Sequence, residues 1–439
     1  MSVAVAEGHP ALRARFEALE RDRREPSWLR ARRGDAFARF ERLGYPTTHI
    51  EAWRDTSVAE IARSTFAAAD PSIRGAGVVA ALDRLSFAGA FGGAEVVLVN
   101  GRLAPDLSRC DVPGVSVRPL AEAARDLEAR LGAVAVDAAH PFLALNTALF
   151  EDGVVLRVTA PVERPVHVIH LSTAPGAAGS SHPRVLVLGE RASQATLVES
   201  YGSPSGEVYW TNAVTEIALE DGAVLDHVRL QRESLAAFHV ATLAATLGRD
   251  ARYTNTSITI GGSLSRVDID VALDAAGAEA TLNGLFVADG RQHLDTHTRI
   301  DHRRPHGTSR EDYKGVLSGH SSGVFHGRIL VRPGAQKTDA VQSNKNLLLS
   351  KNALVNSTPQ LEILADDVKC KHGSTTGQLD EAALFYLRTR GISVEAARSL
   401  LTFAFCSDIA SRIRVPQVRE SLEAFLRDRL PEAPREAVA

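Results

Sequence analysis

Apolar positions along this chain change rhythm twice. From residue 10 to about 65 they recur at helical spacing. Ala11-Leu-Arg-Ala-Arg-Phe-Glu-Ala-Leu-Glu-Arg21 sets Leu12, Phe16 and Leu19 at i, i+4 and i+7, one apolar stripe on a charged surface. A second helical segment, from Ala36 to Leu43, runs into Gly44, the residue type that ends a helix. Residues 70–90 are rich in Ala and Gly and favour neither period. Glu95-Val-Val-Leu-Val99 then reads as a buried strand entering an Asn-Gly turn, and 119–131 returns to helical spacing.

From about 150 to 370 the helical period vanishes. Short β-branched runs such as Val154–Val158, Thr254–Ile260 and Val267–Val271 alternate with Gly and Asp turns. So long a stretch of strand without crossover helices argues against a doubly wound α/β fold. A leucine at a strand end, a polar turn and an alanine recur in Leu188–Ala192, Leu219–Ala223, Leu247–Ala251 and Leu273–Ala278, with leucine spacings of 31, 28 and 26 residues. A drifting period of that size fits the coils of a solenoid, in which each coil buries its apolar face by stacking on the next. A β-sandwich with regular hairpins fits the same spacing. After 373 helices return: Asp380–Gly391 starts acidic, ends basic and stops at glycine, Ser393 can cap a second helix carrying Ala397, Leu400, Leu401, Ala404 and Phe405, and a third runs from Gln417 to Arg429 before Pro431. The expected organisation is a mostly helical region over 1–140, a β core over 141–372 and a helical region over 373–439.

Composition narrows the classes of function. The 439 residues carry 50 Lys+Arg and 53 Asp+Glu, a net charge of −3, so no broad basic surface is available to neutralise nucleic-acid phosphates. Residues 1–10 lack a basic segment followed by an apolar stretch, and no apolar run approaches membrane-spanning length; a cytoplasmic protein is expected. Cys110, Cys370 and Cys406 are too few and too scattered for a disulfide framework. All six lysines fall between 314 and 371, while the other basic residues are arginine.

Enzyme motifs are scarce. Gly334-Ala-Gln-Lys-Thr338 has glutamine where a phosphate loop needs glycine, and there is no GxSxG elbow. His293-Leu-Asp-Thr-His297 lacks the glutamate of a zincin, although on a strand i and i+4 share a face and could form a metal pair. Six of the 15 histidines lie between 293 and 326; core or surface imidazoles are the preferred reading over a metal site. Cys370-Lys371-His372 is the better candidate. On an extended segment its thiol and imidazole project side by side, the two ligand types that suit iron, zinc and Fe–S clusters. The flanking Lys369 and Lys371 are expected to favour the thiolate. Two ligands do not complete a site that wants about four, so a functional C-x-H needs ligands from another chain. A structural cysteine at the end of the β region is the plain alternative. Cys110 and Cys406 read as incidental.

Longer motifs carry a family resemblance. Tyr313-Lys-Gly-Val-Leu317, Gly323-Val-Phe-His-Gly-Arg-Ile329, Gln342-Ser-Asn-Lys-Asn-Leu-Leu-Leu-Ser350, Pro359–Ile363, Ala365-Asp-Asp-Val-Lys-Cys-Lys-His-Gly373 and Leu384–Ile392 closely resemble the SufB/SufD family of the iron–sulfur cluster assembly machinery. The resemblance is strongest over roughly 140–410. Gly44–Thr56 and Cys370-Lys-His-Gly373 follow the SufD branch, and no cysteine lies between 110 and 370, where the SufB branch carries one. Lys371 and His326 depart from the serine and asparagine of the family pattern.

This resemblance implies a mainly β fold with helical ends, its core a right-handed parallel β-helix. It implies a non-enzymatic scaffold subunit, partnered by SufB and the ATPase SufC, that supports iron entry and nascent cluster formation at the SufB–SufD interface. Cys370 and His372 would face that interface as ligands of a transient Fe or Fe–S species, with no cofactor held stably by this chain alone. The C-terminal helices would dock SufC, through Phe385, Tyr386, Arg388, Arg398, Leu401 and Phe405. A homodimer in isolation is left open. The competing function is a stand-alone β-helix enzyme acting on polysaccharide, which would need paired carboxylates in a groove.

Overall fold

The computed structural model describes residues 9–22, 25–136, 139–174, 178–204 and 206–429. The outermost parts of the expected terminal regions, residues 1–8 and 430–439 with Pro431, lie outside these. Between Gly153–Val158 and Lys369–Gly377 the chain winds a parallel β-solenoid of about seven turns. Successive strands alternate between two sheets, so each strand pairs with the next but one: Phe238–Leu247 lies parallel between Tyr209–Leu219 and Leu264–Leu273. The hairpin sandwich is thereby excluded, because its pairs would be antiparallel neighbours in sequence.

Three of the four repeated leucines form one column; Leu188 pairs with Ala218, one residue out of register, and packs with Leu120 and Phe150 instead. Leu219, Leu247, Leu273, His302, Val331 and Ile363 stand in register along the first sheet. Ala223, Ala251 and Ala278 are fully buried at the corners that follow. The column thus includes three of the copies legible as Leu-turn-Ala and continues beyond them. His302 interrupts the pattern; its Nε2 lies 2.9 Å from the Ser309 hydroxyl, and burial lowers its pKa to about 4, so the neutral ring fills an apolar position.

Both faces of each sheet are covered. Helices Pro10–Asp22, Ser27–Leu43 and Pro141–Leu149 and the segment around Trp53 pack on the outside of the first sheet, against Trp210, Phe238 and Leu264. Helices Val394–Ala410 and Pro416–Arg429 cover the second sheet, against Val198, Val228, Ile258, Leu285 and Val316. Strand Tyr209–Leu219 is consequently buried at nearly every position and shows no alternation. The N-terminal region also extends the sheets: Glu95–Val99 joins the second in parallel, and Val115–Pro119 joins the first antiparallel.

Two local expectations change. Helical spacing over 119–131 yields only Leu120–Ala123 and a 3-10 turn to Asp126, because Leu120, Ala123, Leu127 and Leu131 all pack on one sheet cluster without needing a continuous helix. In Val394–Ala410 the buried face is Ala396, Ala397, Ser399, Thr402, Cys406 and Ile409; Leu400 and Ala404 stay exposed. The expected helix end at Gly44 is present, with φ +63.

The interior of the solenoid is partly polar. The Glu199 carboxylate lies within hydrogen-bond reach of His170 (2.8 Å), His227 (3.1 Å), Tyr201 and Thr215, all buried. Space is shared between neighbouring coils: Gly284 stands in register with Tyr313, and Gly315 with Phe286, so each ring lies over a glycine where a Cβ would sit 2.0 to 2.3 Å from it. Nearer the C-terminal end, Gln342 Nε2 donates to Glu311 Oε2 at 2.6 Å, and burial raises the Glu311 carboxyl to about 7. The unfolded chain releases this proton near pH 4.5 while the folded chain still holds it, so stability falls as pH rises from about 4.5 to 7. Glu311→Gln removes that loss. Its denaturation midpoint should exceed the parent's at pH 8, by a margin on the order of 3 kcal/mol, and nearly match it at pH 4.5; an equal shift at both pH values would contradict the assignment.

Candidate functional site

Strands Leu354–Ile363 and Lys369–Gly377 end the two sheets. Each pairs with one neighbour, Ser322–Val331 and Asp339–Leu348 respectively, and among the described residues no strand adds to the opposite edge. Their side chains are mostly exposed, unlike those of the strands beneath them. Long parallel edges with free N–H and C=O groups are templates for another strand. Leu354, Ile363 and Leu364 add exposed apolar surface at this end.

Cys370 and His372 lie on the final strand. Cys370 is in register with Ala340 and His372 with Gln342, both buried, so the two side chains prolong interior columns of the solenoid to its mouth. Cys370 is half-buried against the central apolar cluster, whereas His372 is exposed. Polar groups surround the mouth: the Ser357 and Ser374 hydroxyls are 2.7 Å apart, and Ser357 donates to Asn344 Oδ1 at 2.7 Å. Beneath His372 the column continues through Gln342 to Glu311.

The expected thiolate is corrected by this geometry. Lys369 and Lys371 occupy the alternate positions of the strand and so face away from the thiol; their charges act on Asp339, whose carboxyl is held low chiefly by the Arg310 guanidinium. Burial pushes the Cys370 thiol up, and the Asp339 carboxylate adds to that shift. At neutral pH Cys370 is therefore a protonated thiol, which a metal ion would have to deprotonate on binding.

The six C-terminal candidates separate into two groups. Phe385 and Tyr386 are 68% and 57% exposed on helix Glu381–Thr389, beside the exposed Arg388, and that helix has no buried residue. Asp380 caps it by accepting from the Ala382 amide. Arg398, Leu401 and Phe405 instead sit half-buried on the next helix. Arg398 donates to the Leu349 carbonyl at 3.2 Å, and Lys314 donates to the Phe405 carbonyl at 3.0 Å while pairing with Asp408 at 2.7 Å. These contacts fasten helix to solenoid and give one of the clustered lysines a structural role.

His293 and His297 share the outer face of strand His293–His302 but do not face one another across a vacant site. His293 is held between Thr56 and Ser322, at 2.8 and 2.6 Å, and Asp295 stands between the two histidines. Cys110 is half-buried and Cys406 fully buried, with its thiol pushed up to about 12 by burial. Among the described residues, no group of three or more His, Cys, Asp or Glu side chains converges as a metal site, and no helix is long and apolar enough to cross a membrane.

Comparison with known proteins decides the family. Residues 170–405 match the SufBD core domain of the SUF system of Fe–S cluster assembly, and residues 17–168 match the SufBD protein N-terminal region. The chain belongs to the SufB/SufD family. It is 33% identical over 395 residues to an iron–sulfur cluster assembly SufBD family protein of Synechocystis, a match spanning 87% of this chain and 86% of that protein. It is 30% identical over 400 residues to the iron–sulfur cluster assembly protein SufD of Escherichia coli K12, spanning 89% and 90%. With SufD of Bacillus subtilis it shares 28% identity over 298 residues, covering 65% and 66%. The SufBD core match ends at residue 405 and so includes both edge strands, Cys370 and His372.

What residue-by-residue reading missed was the open end itself. Exposed polar residues in Leu354–Ile363 resemble any half-buried strand until the absence of a next coil is seen. The raised thiol yields a direct check. Asp339→Asn removes the anion beside Cys370, so iodoacetamide should alkylate the variant faster than the parent at pH 8; a rate unchanged or lower would place the charge elsewhere.

Proposed function

We propose that this SufB/SufD-family chain is a non-catalytic scaffold subunit of cytoplasmic iron–sulfur cluster assembly, and that its open solenoid end joins SufB. The observation that carries the reading is the coincidence, on one edge strand paired on a single side, of an open edge with Cys370 and His372. A thiol and an imidazole side by side supply half of a coordination sphere. The partner's strand supplies the remaining ligands and closes the mouth against water. Iron or a nascent cluster is cargo at this junction, held only while both chains are together.

SufC docks on helix Glu381–Thr389, through Phe385, Tyr386 and Arg388. Their exposure, against the tethering contacts of Arg398 and Phe405, supports placing recognition on the first helix and mechanical coupling on the second. Force on Val394–Ala410 passes to the second sheet through Lys314 and through Arg412, which donates to Asn283 Oδ1 and Asp312 Oδ2 at 2.8 and 2.5 Å.

The test is co-expression with SufB and SufC. Cys370→Ala and His372→Ala, singly or together, should leave the assembly intact by size-exclusion chromatography and abolish cluster maturation measured by iron and acid-labile sulfide. Full maturation by the double variant would remove these residues from the site.

A further inference from the structure

A second pair of ligating groups lies on the outer face of the first sheet, beside the edge strand Leu354–Ile363 and apart from Cys370 and His372 on the other sheet. His297 and His326 are in register on adjacent strands, and their rings meet edge to face with centroids 4.9 Å apart. The two Nδ1 atoms are 3.3 Å from each other. His297 Nε2 lies 3.1 Å from the buried carboxylate of Asp295. With its proton on Nε2, the nitrogen nearest that acceptor, His297 presents the Nδ1 lone pair to His326. Gln360 lines the same cavity as His326.

We propose that His297 and His326 form a half-site for one divalent first-row transition-metal ion, bound through both Nδ1 atoms. Metal–imidazole bonds of about 2.0–2.1 Å at tetrahedral angles separate two nitrogens by about 3.3 Å, the spacing found here. Asp295 would play the supporting part that carboxylates play behind metal-bound histidines, fixing tautomer and ring orientation. Asp295 is itself held by Arg266 at 3.0 Å and by the Thr56 hydroxyl at 2.5 Å, so the supporting group is rigid.

A cavity of about 160 Å³ opens beside the rings, between the sheet and the segment Glu51–Thr56. Glu51, Asp55, Thr358 and Gln360 line it, offering oxygen donors or sites for metal-bound water. Two cations are near. Arg266 is paired with Asp268 and Asp295, and Arg54 lies 3.8 Å from Asp55, so neither adds uncompensated positive charge. In the metal-free protein a proton on His326 Nδ1 bridges to His297; when the ion takes Nδ1 the neutral ring carries its proton on Nε2 instead, a change of tautomer with no net proton released. Imidazole with oxygen suits iron, cobalt, nickel or zinc in the divalent state.

The full chain, stripped by chelator, should bind one equivalent of Co2+ on anaerobic titration, seen as visible absorption. His326→Asn should weaken binding about tenfold or more, at least what losing a supporting group costs a metal site. The Cys370→Ala/His372→Ala double variant should bind this equivalent as the parent does, so the outcome is independent of the cluster-site reading. Crystals of the unaltered chain soaked in Co2+ should show an anomalous peak between the two rings, a readout that needs no variant to fold. Undiminished affinity in His326→Asn, loss of the equivalent in the double variant, or no peak between the rings would each overturn the proposal.

Discussion

Everything in this molecule depends on coil stacking. A parallel solenoid satisfies backbone hydrogen bonds and buries apolar columns only where one coil lies on another. Tyr313 over Gly284 and Phe286 over Gly315 are complementary pairs between coils, each residue meaningless alone. At the N-terminal end the demand is met within the chain, by Glu95–Val99 and Val115–Pro119. At the C-terminal end it is not met by the described residues, and the columns end in Cys370 and His372. An unfinished stack leaves backbone hydrogen-bonding groups open along its edge strands, with a thiol and an imidazole at its mouth.

The helical regions serve this arrangement from outside. Trp53 lies over the Arg266 guanidinium at 3.7 Å, and the Ala52 carbonyl accepts from the same group at 2.7 Å. The N-terminal segment is thereby pinned across the first sheet, where it forms one wall of the His297–His326 cavity. On the second sheet Lys314, Arg398 and Arg412 bind the C-terminal helices through directed polar contacts over an apolar interface. Among the described residues, helix Glu381–Thr389 alone is left with its aromatic residues in solvent. The fold thus separates an end with two open edge strands from a flank with exposed aromatic side chains.

Much of this was legible in the sequence, and the gaps have physical causes. The leucine-turn-alanine repeat disclosed the coil length because the corner must be small and the strand end apolar. It faded where His302 filled the leucine position as a neutral, hydrogen-bonded ring. Strand Tyr209–Leu219 lost its alternation because helices bury its outer face. That Cys370 and His372 share one face of a strand was readable from spacing alone, but the state of the thiol was not: flanking lysines suggest a thiolate in one dimension, while the pleat turns them away in three. The meeting of His297 with His326, 29 residues apart, required the strand register.

The central claim is that the open end completes itself on a partner strand. Hydrogen–deuterium exchange on this chain, alone and co-purified with SufB, addresses it directly. The account predicts that amides of 354–363 and 369–377 exchange readily in the isolated chain and become strongly protected in the complex, while those of 209–219 are protected in both. Unchanged exchange at both edge strands in a stable complex would contradict it.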